Sequence, residues 1–593
     1  LRMSPAPGKW PSFCSNVPIN KNRLSRDIDM FNKAIVFVIA ILASAIVFAA
    51  EQAEPTVAKA SYIVQADSYV VAKEAVIRVG GEITHELNII NAVGASLSVV
   101  QLGELSKDSR LKIQKDRSAG VAAATLLSST TLSRTVDGGD GPSSFVSTIV
   151  GAADLHRKGL TGEGVTVAVV DTGYYQTNDL AKKRDGQHRV LAQYDAISGQ
   201  TFSAIDEFDD GQWEFKDNLN SGVGSDANGH GSHVTSIIAN SERDQNGNYL
   251  GVAPGVNIGS VKAFDGNGNG TYLDVIRGLD WILTNANKYD IRVANLSFSA
   301  EPQSHYWDDP INQAVMRLWS EGIVIVASAG NRGPDAMSIG VPGNVPYVIT
   351  VGSMNDNGTP LHSADDTLSS FSSAGPTVEG FVKPEVVAPG NSLIGLMNNG
   401  SHKITMDHPE FMFSHGDSDE YFAMSGTSQS AAVVTGVVAM LLQGNAALTP
   451  DQVKCKLMSG ASPAVNDASE LAYSVFQQGA GLVNAYAAMA SQETDCANGG
   501  MDVQADLAGK LHYGGRANVD ENGNYYLMDL DGYLWTNNSL GTEGYLWTNG
   551  YLWTNGYLWT NAYLWTNGDV GTNGYLWTNG YLWTNGYLWT NGY

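Results

Sequence analysis

The sequence predicts an α/β protein with a doubly wound, mostly parallel sheet, preceded by a small α+β unit and followed by a β-type repeat tail. Uncharged runs rich in β-branched residues end on polar side chains at Asp171 and near Asn331, as buried parallel strands do at one edge of a sheet. The apolar segment 431–442 is typical of a buried helix. The tail repeats one hexapeptide, which predicts short strands joined by turns.

Length and charge narrow the class of protein. A chain of 593 residues has room for several domains, and a hydrophobic fraction of 43% is enough to fill a sizeable core. The net charge of −25 argues against nucleic acid and anionic membranes as partners.

The first fifty residues predict export. Residues 30–50 combine a lysine, an uncharged apolar run and a small-residue end, which are the three regions of a secretory signal peptide. The run is short for a membrane span. Residues 1–29 precede this signal and are interpreted as a leader that is not native to the protein. We therefore expect a secreted, extracellular protein, and association with a cell surface stays open.

Residues 51–118 are predicted to form a separate small domain. Alternating runs at 61–65 and 96–101, with a helical pattern near 101–106, indicate a small antiparallel sheet backed by two helices. Residues 119–144 are rich in Ser, Thr, Gly and Asp, which predicts a linker and processing region.

Residues 145–495 carry an acid, an imidazole and a hydroxyl in that order. Asp171 ends a buried strand and is followed by Gly173, which lets the chain turn away. His230 opens a segment with helical apolar spacing, and Ser428 directly precedes the apolar helix. A serine made nucleophilic by an imidazole, which a buried carboxylate orients, is the chemistry of acyl transfer.

A fourth position completes this chemistry. Asn331 follows the run 324–330, and its amide, with the unpaired N–H groups at the start of the Ser428 helix, could hold an oxyanion. Each segment alone reads as a turn or a loop. Their agreement predicts peptide-bond hydrolysis through an acyl-enzyme, whereas His233 is interpreted as structural support.

These segments resemble the subtilisin-like serine proteases, the subtilase family or peptidase family S8. The resemblance covers roughly residues 145–490 and implies a triad of Asp171, His230 and Ser428 with Asn331 in the oxyanion hole. It also implies that residues 51–118 are an inhibitor-chaperone prodomain, whose cleavage activates a secreted serine endopeptidase. Further segments that are similar to the family are Gly251–Pro254, Ser297–Ser299, Lys383–Gly390 and Gln478–Asn484.

The resemblance also implies substrate-binding residues and partners. Gly270, Ser297, Phe298 and Ser299 are expected to bind peptide, and the partners are protein or peptide substrates and the chain's own prodomain. The family usually has glycine where this chain has Ser299, which predicts a narrower pocket for the residue before the cleaved bond. The segment after Ser428, Gln429–Val433, also departs from the family pattern.

No cofactor is expected for the chemistry, and the metal sites are unknown. Asp265–Gly270 resembles the start of a calcium loop, but Ile276 stands where the required glutamate would be. Structural calcium stays open, although solvated charge is the favoured interpretation of acidic loops such as 206–217 and 417–420. Cys455 and Cys496 are interpreted either as one disulfide or as two free thiols.

Residues 496–532 are predicted to be a linker to the repeats at 533–593. The motif Tyr-Leu-Trp-Thr-Asn occurs eight times between Tyr533 and Asn591, in either a parallel coil or a hairpin meander. Three roles compete for it: contact with a surface or polysaccharide, an export element, and a repeat expansion without a selected role. An inactive adhesin that binds through this tail is the alternative to a protease.

Overall fold

The computed structural model describes residues 58–121, 145–203, 205–207, 213–215, 225–244, 247–359, 362–397, 402–415, 419–466, 471–520 and 523–527, and ten short strands of the tail. The predicted leader and signal peptide and most of the predicted processing region lie outside these residues. Among the helices that the structure describes, none combines the length and the apolar character needed to cross a membrane.

The N-terminal unit is a four-stranded sheet with two helices. Its elements are β1 (Lys59–Gln65), α1 (Tyr69–Arg78), β2 (Glu82–Leu87), β3 (Ala92–Ser98), α2 (Val99–Leu105) and β4 (Lys112–Lys115). The strand order is β2-β3-β1-β4, with β2–β3 and β1–β4 antiparallel. The strand predicted at 96–101 stops at Ser98, because Ser98 and Gln101 form a capping box that starts α2.

The strands that follow build the rest of the described chain. They are β5 (Ser118–Val121), β6 (Thr166–Asp171), β7 (Val190–Asp195), β8 (Gln200–Ser203), β9 (Ile205–Glu207), β10 (Trp213–Phe215), β11 (Asn257–Lys262), β12 (Asn269–Thr271), β13 (Ile291–Leu296), β14 (Phe298–Ser299), β15 (Val324–Ser328), β16 (Ile349–Asn355), β17 (Thr367–Leu368), β18 (Val386–Pro389), β19 (Leu393–Leu396), β20 (Met412–His415), β21 (Asp419–Met424), β22 (Ala517–Val519) and β23 (Tyr525–Leu527).

The helices lie between these strands. They are α3 (Val146–Ile149), α4 (Ala152–Arg157), α5 (Asn178–Ala181), α6 (His230–Ala239), α7 (Tyr272–Tyr289), α8 (Pro310–Ser320), α9 (Lys403–Asp407), α10 (Thr427–Gly444), α11 (Pro450–Gly460), α12 (Val475–Gln478), α13 (Ala485–Ala490) and α14 (Val503–Leu507). Three short 3₁₀ turns, Asn88–Ile90, Ser363–Asp365 and Pro409–Phe411, complete the set in the described part of the chain.

The central sheet is mostly parallel, as the sequence predicts. Its order is β17-β16-β15-β13-β6-β11-β7-β8, and β18 also pairs with β16. Strands β16, β15, β13, β6, β11 and β7 run parallel, whereas β17 and β8 are antiparallel. The middle strands are buried along their length, which accounts for their continuous apolar sequences.

Helices cover this sheet in pairs. Helix α10 packs against α6 and against β13, β15, β16 and β18, and it is buried from Thr427 to Leu442. Helix α7 packs against α8 and contacts β6, β7, β11 and β13. The two pairs give the doubly wound arrangement, and the sheet edge where β6, β13 and β15 end becomes the place where functional side chains meet.

The segment after the central domain differs from the predicted linker. Cys455 on α11 and Cys496 form a disulfide, so one of the two interpretations of these cysteines is confirmed. Beyond it, Asp506 on α14 is buried and accepts hydrogen bonds from the hydroxyls of Tyr306 (2.6 Å) and Tyr347 (2.9 Å). The prediction of a linker was wrong for the described residues 496–520, because these polar contacts and the disulfide bind the segment to the central domain.

The tail is a parallel coil and not a hairpin meander. Each described strand spans three residues, and each of the first seven pairs in parallel with the strand 18 positions later, as Leu534–Thr536 does with Leu552–Thr554. Three hexapeptides therefore make one turn of the coil. The strands are β24 (Leu534–Thr536), β25 (Leu540–Thr542), β26 (Leu546–Thr548), β27 (Leu552–Thr554), β28 (Leu558–Thr560), β29 (Leu564–Thr566), β30 (Val570–Thr572), β31 (Leu576–Thr578), β32 (Leu582–Thr584) and β33 (Leu588–Thr590).

Removing the disulfide is expected to destabilise the protein. The two cysteines are 41 residues apart, and a closed loop of this length stabilises the folded state by about 4 kcal/mol in the chain-entropy description. In a Cys455→Ser/Cys496→Ser variant, the free energy of unfolding should be lower than in wild type by about this amount. Urea titrations followed by tryptophan fluorescence measure it. Dithiothreitol should shift the wild-type titration to that of the variant and leave the variant unchanged. A wild-type curve that does not respond to reduction would contradict this role.

Candidate active site

A carboxylate and an imidazole meet at the carboxyl edge of the sheet. Asp171 is the last residue of β6 and His230 is the first residue of α6. His230 Nδ1 donates to Asp171 Oδ1 over 2.7 Å, and both side chains are almost completely buried. Asp171 Oδ1 also accepts the N–H of Thr172 at 2.8 Å. His230 Nε2 has no hydrogen-bond partner among the described residues, so this nitrogen remains available as a base.

The environment of His230 favours its protonated form. Burial by itself lowers the pKa of this imidazole, but the charge and hydrogen bond of Asp171 and the charge of Asp226 together raise it above its usual value. The pair can therefore accept a proton at Nε2 and stabilise the imidazolium that results.

Sequence reasoning missed Asp226, which fixes the turn before His230. Its Oδ1 accepts the N–H groups of Asn228 (3.0 Å) and Gly229 (2.7 Å), and its Oδ2 accepts the N–H and hydroxyl of Ser232. The hydroxyl of Thr172 also donates to Oδ1 over 2.9 Å. An aspartate shortly before a helix start is a capping signal, and that signal was present in the sequence.

The hydroxyl of the predicted set sits at the start of α10. Ser428 is fully buried, and its Oγ donates to the carbonyl of Ser297 over 3.1 Å. The Ser297 hydroxyl in turn donates to the carbonyl of Ser428 at 3.1 Å. The start of α10 is thus held against the residue that follows β13, and the serine hydroxyl points to that strand end and not to His230.

An amide lies beside the same helix start. Asn331 Oδ1 accepts the N–H (3.0 Å) and the hydroxyl (2.8 Å) of Thr427, which fixes the orientation of the amide. A Cβ placed on Gly426 would lie 3.1 Å from Asn331 Nδ2 and 3.8 Å from the backbone nitrogen of Ser428. Both nitrogens therefore border one space next to Ser428, and the same point lies 2.7 Å from Gln429 Oε1.

Two strand edges form a cleft that the chain itself occupies. Strand β5 lies between β12 and β14 and pairs antiparallel with both. Gly270 is opposite Ala119, Phe298 is opposite Val121 and Ser299 is opposite Gly120. Residues 119–121, predicted within the linker, are therefore part of a strand. Of the four residues that were expected to bind peptide, Gly270, Phe298 and Ser299 pair with it, whereas Ser297 directly precedes β14.

Ser299 fills space between two glycines near Asn331. A Cβ on Gly340 would lie 1.9 Å from Ser299 Oγ, and a Cβ on Gly330 would lie 3.2 Å from it. The neighbouring residue Ala300 exchanges backbone hydrogen bonds with Val341, which keeps β14 close to this loop. The hydroxymethyl group of Ser299 thus occupies room beside the backbone that leads into Asn331.

His233 lies one turn after His230 on α6. It is fully buried, and its Nε2 is within hydrogen-bond distance of the carbonyls of Phe422 (3.0 Å) and Leu393 (3.2 Å). Burial lowers its pKa to about 4, so this imidazole is neutral at physiological pH and links α6 to β19 and β21. In the described part of the chain, no group of three or more His, Cys, Asp or Glu side chains is arranged to hold a metal ion.

Comparisons with known proteins agree with this geometry. The model of the subtilase family matches residues 162–481. The serine protease AprX of Bacillus subtilis (strain 168) is 37% identical over 341 residues, which are 56% of this chain and 68% of that protein. Subtilisin DY of Bacillus licheniformis is 28% identical over 342 residues, covering 57% of this chain and 96% of that protein.

A solved structure has the same fold. Fervidolysin from Fervidobacterium pennivorans, described as a keratinolytic enzyme related to subtilisin, aligns with a TM-score of 0.54 and 23% identity. The alignment covers 73% of this chain and 61% of that chain. Since the family model spans more than half of the sequence, the chain belongs to the subtilase family and is a subtilisin-like serine protease.

Proposed function

We propose that the protein is a secreted endopeptidase in which Ser428 attacks the peptide carbonyl, with His230 as base and Asp171 orienting it. The buried 2.7 Å contact between Asp171 and His230 supports this proposal most directly. The inactive adhesin is the less favoured alternative, since a binding protein has no need of a buried acid–imidazole pair.

The reaction would proceed through an acyl-enzyme. Ser428 Oγ forms a bond to the carbonyl carbon while its proton passes to His230 Nε2, and the carbonyl oxygen becomes an oxyanion. The amide of Asn331 and the N–H of Ser428 would donate to this oxygen, and the position of both nitrogens beside Gly426 supports this role. Collapse breaks the C–N bond, and the leaving amine takes the proton from His230. Water then repeats the sequence and releases the acid.

In the structure the hydroxyl of Ser428 donates to Ser297, so the first step requires it to turn toward His230. The hydrogen bond between a catalytic hydroxyl and its base often becomes short only when substrate is bound. A substrate peptide that pairs with β12 and β14 would take the place of β5. Its scissile carbonyl would then lie next to the start of α10.

We further propose that residues 51–118 are an inhibitor-chaperone prodomain, which is cleaved in the region 119–144. The position of β5 supports this, since the chain after β4 runs through the expected substrate cleft as an antiparallel strand. Polar contacts hold the preceding unit to α7 and to the residues just before α8. They include Arg117 with Asp309 (2.5 Å), Lys112 with Asp308 (2.7 Å) and the N–H of Ile89 with Asp280 (2.6 Å).

We propose export because residues 30–50 resemble a signal peptide. The chemistry needs no cofactor, and a structural role of calcium is compatible with it. For the tail we propose contact with a surface or polysaccharide, because the parallel coil sets equivalent repeat positions in register along its axis.

The mechanism is tested by comparing wild type with Ser428→Ala and Asn331→Ala. The serine variant should hydrolyse no casein and stay at its unprocessed mass, since it lacks the nucleophile. The asparagine variant should lose about a hundredfold or more in kcat, because one oxyanion donor is gone. Intact mass, casein hydrolysis and labelling by a serine-directed covalent inhibitor are the measurements. Hydrolysis by folded Ser428→Ala would refute the mechanism, and inactive, unprocessed wild type would favour the adhesin.

Ser299 is expected to restrict the residue before the cleaved bond to small side chains. Ser299→Gly should raise kcat/KM for peptides with Phe or Leu there, relative to Ala, by about tenfold or more, because a filled pocket becomes open. Ser299→Ala keeps most of the volume and should leave the ratio near that of wild type. Fluorogenic peptides that differ only at this position provide the measurement, and a wild-type preference for Phe would contradict the prediction.

Retention of the N-terminal unit should weaken as the pH rises through about 6. Burial raises the pKa of Asp280 to about 6, although hydrogen bonds from Ile89 and Asn88 lower it. After release this carboxyl should return to its ordinary value near 4, so binding takes up a proton. The affinity of the cleaved unit for the enzyme should therefore be highest below pH about 4 and lowest above pH about 6. The two limits should differ by up to about a hundredfold.

Asp280→Asn mimics the protonated group and should keep the unit bound at pH 8. Co-elution of the cleaved unit with inhibitor-blocked enzyme on size exclusion between pH 5 and 8 measures this. Asp290→Asn, at the end of the same helix, is the control. Equal release of the Asp280→Asn variant and wild type at pH 8 would exclude Asp280 as the titrating group.

A further inference from the structure

The turn that leads into His230 is held from outside by a segment that no sequence motif singled out. Three consecutive carbonyls precede this histidine, and each accepts a hydrogen bond from the start of α9. His402 Nδ1 donates to the carbonyl of Asp226 over 2.9 Å. The N–H of Lys403 donates to Ala227 (2.9 Å), and the N–H of Ile404 donates to Asn228 (3.1 Å). These donors follow one another along the chain just as their acceptors do.

The carbonyls belong to a turn that is also fixed by its own aspartate and by residues of neighbouring loops. The carboxylate of Asp226 binds the N–H groups of Asn228 and Gly229 and both polar groups of Ser232, all on the same turn or on α6. Outside this turn and α6, the carboxylate accepts the hydroxyl of Thr172, the N–H of Asp226 donates to the carbonyl of Tyr174, and the Asn228 amide donates to that of Gly266. The start of α9 adds an external anchor that acts on the backbone carbonyls of the turn.

His402 is built to hold this position. Its side chain is fully buried, and its ring lies edge-on to Tyr175 with centroids 5.0 Å apart. A Cβ on Gly229 would lie 2.9 Å from the Cβ of His402, so the backbone next to His230 packs directly on this residue. A carbonyl can only accept, hence the proton is on Nδ1. Nε2 has no hydrogen-bond partner among the described residues.

We infer that His402 and the first turn of α9 are positioning elements that fix the turn presenting His230 to Ser428. The inference rests on the proposed function of His230 as the base. None of these groups touches the reacting atoms. Their effect is on the placement of the imidazole, and a shift of about 1 Å in a reacting group costs on the order of a hundredfold in rate. The three hydrogen bonds and the packing on Gly229 are thus expected to act on kcat and not on substrate affinity.

His402→Ala and His402→Asn separate positioning from simple stability. In the full chain, His402→Ala should lower kcat on a fluorogenic peptide about tenfold or more with KM within twofold. It should slow labelling of Ser428 by a serine-directed inhibitor by the same factor. Asn carries an N–H near the place of Nδ1 and should restore most of the rate. His156→Asn is the control, since His156 is half-buried, bonds a carbonyl in the same way through Nε2 and lies outside the site.

Lys403→Pro provides a second test if His402→Ala does not fold. Proline removes the N–H that binds Ala227, and at the first position of a helix it is otherwise well tolerated. The backbone of His402 is already extended, as the residue before a proline requires. Lys403→Ala keeps the N–H and loses only the exposed ion pair with Asp407, so it is the matched control.

We expect Lys403→Pro to lose kcat severalfold and Lys403→Ala to match wild type. Thermal unfolding of each variant shows that rates are compared well below its midpoint. Wild-type kcat in both folded His402→Ala and Lys403→Pro would overturn the inference, as would a loss in which KM rises and kcat is kept. Neither result affects the proposed function, which fails only if folded Ser428→Ala hydrolyses peptide.

Discussion

Burial of a carboxylate at the end of β6 is the constraint on which the site depends. Asp171 has no contact with solvent, and removing a charge from water is costly unless it is paired and hydrogen-bonded. His230 and the N–H of Thr172 satisfy one carboxylate oxygen, whereas the other has no partner in the described part of the chain. Any displacement of the imidazole would leave this charge unpaired, and the hydrogen bonds of the turn before His230 hold the imidazole in place.

The sheet edge explains why residues far apart in sequence meet. Strands β6, β13 and β15 are adjacent and parallel, so Asp171, Ser297 and Asn331 emerge side by side where these strands end. Helices α6 and α10 then bring His230 and Ser428 to the same edge by their first turns. Helix starts are suited to this position, because their N–H groups point toward a negative charge that develops there.

Much of this arrangement could be predicted from the sequence, since continuous apolar runs fix the parallel strands and the polar residues after them mark the edge. Asp171 and Asn331 were predicted in that way, whereas Gly270 was predicted from the resemblance to the subtilase family. His402 could not be found, because it lies in a segment with neither an apolar period nor a motif, and only tertiary pairing gives it a role. The segment after Cys496 was misjudged for a related reason. Its anchors, Asp506 and the disulfide, act through partners that are distant in sequence.

The three-hexapeptide turn of the tail has a consequence for how such a tail can change length. One added repeat advances the coil by a third of a turn, so every strand beyond the insertion moves to the next side, about 120° round the axis. Three added repeats restore every strand to its own side and lengthen the coil by one strand spacing, roughly 4.8 Å. The number of repeats therefore determines both the length of the coil and the direction in which each side of its last turn faces. Variants of this tail that differ by one unit would present different sides in the same direction.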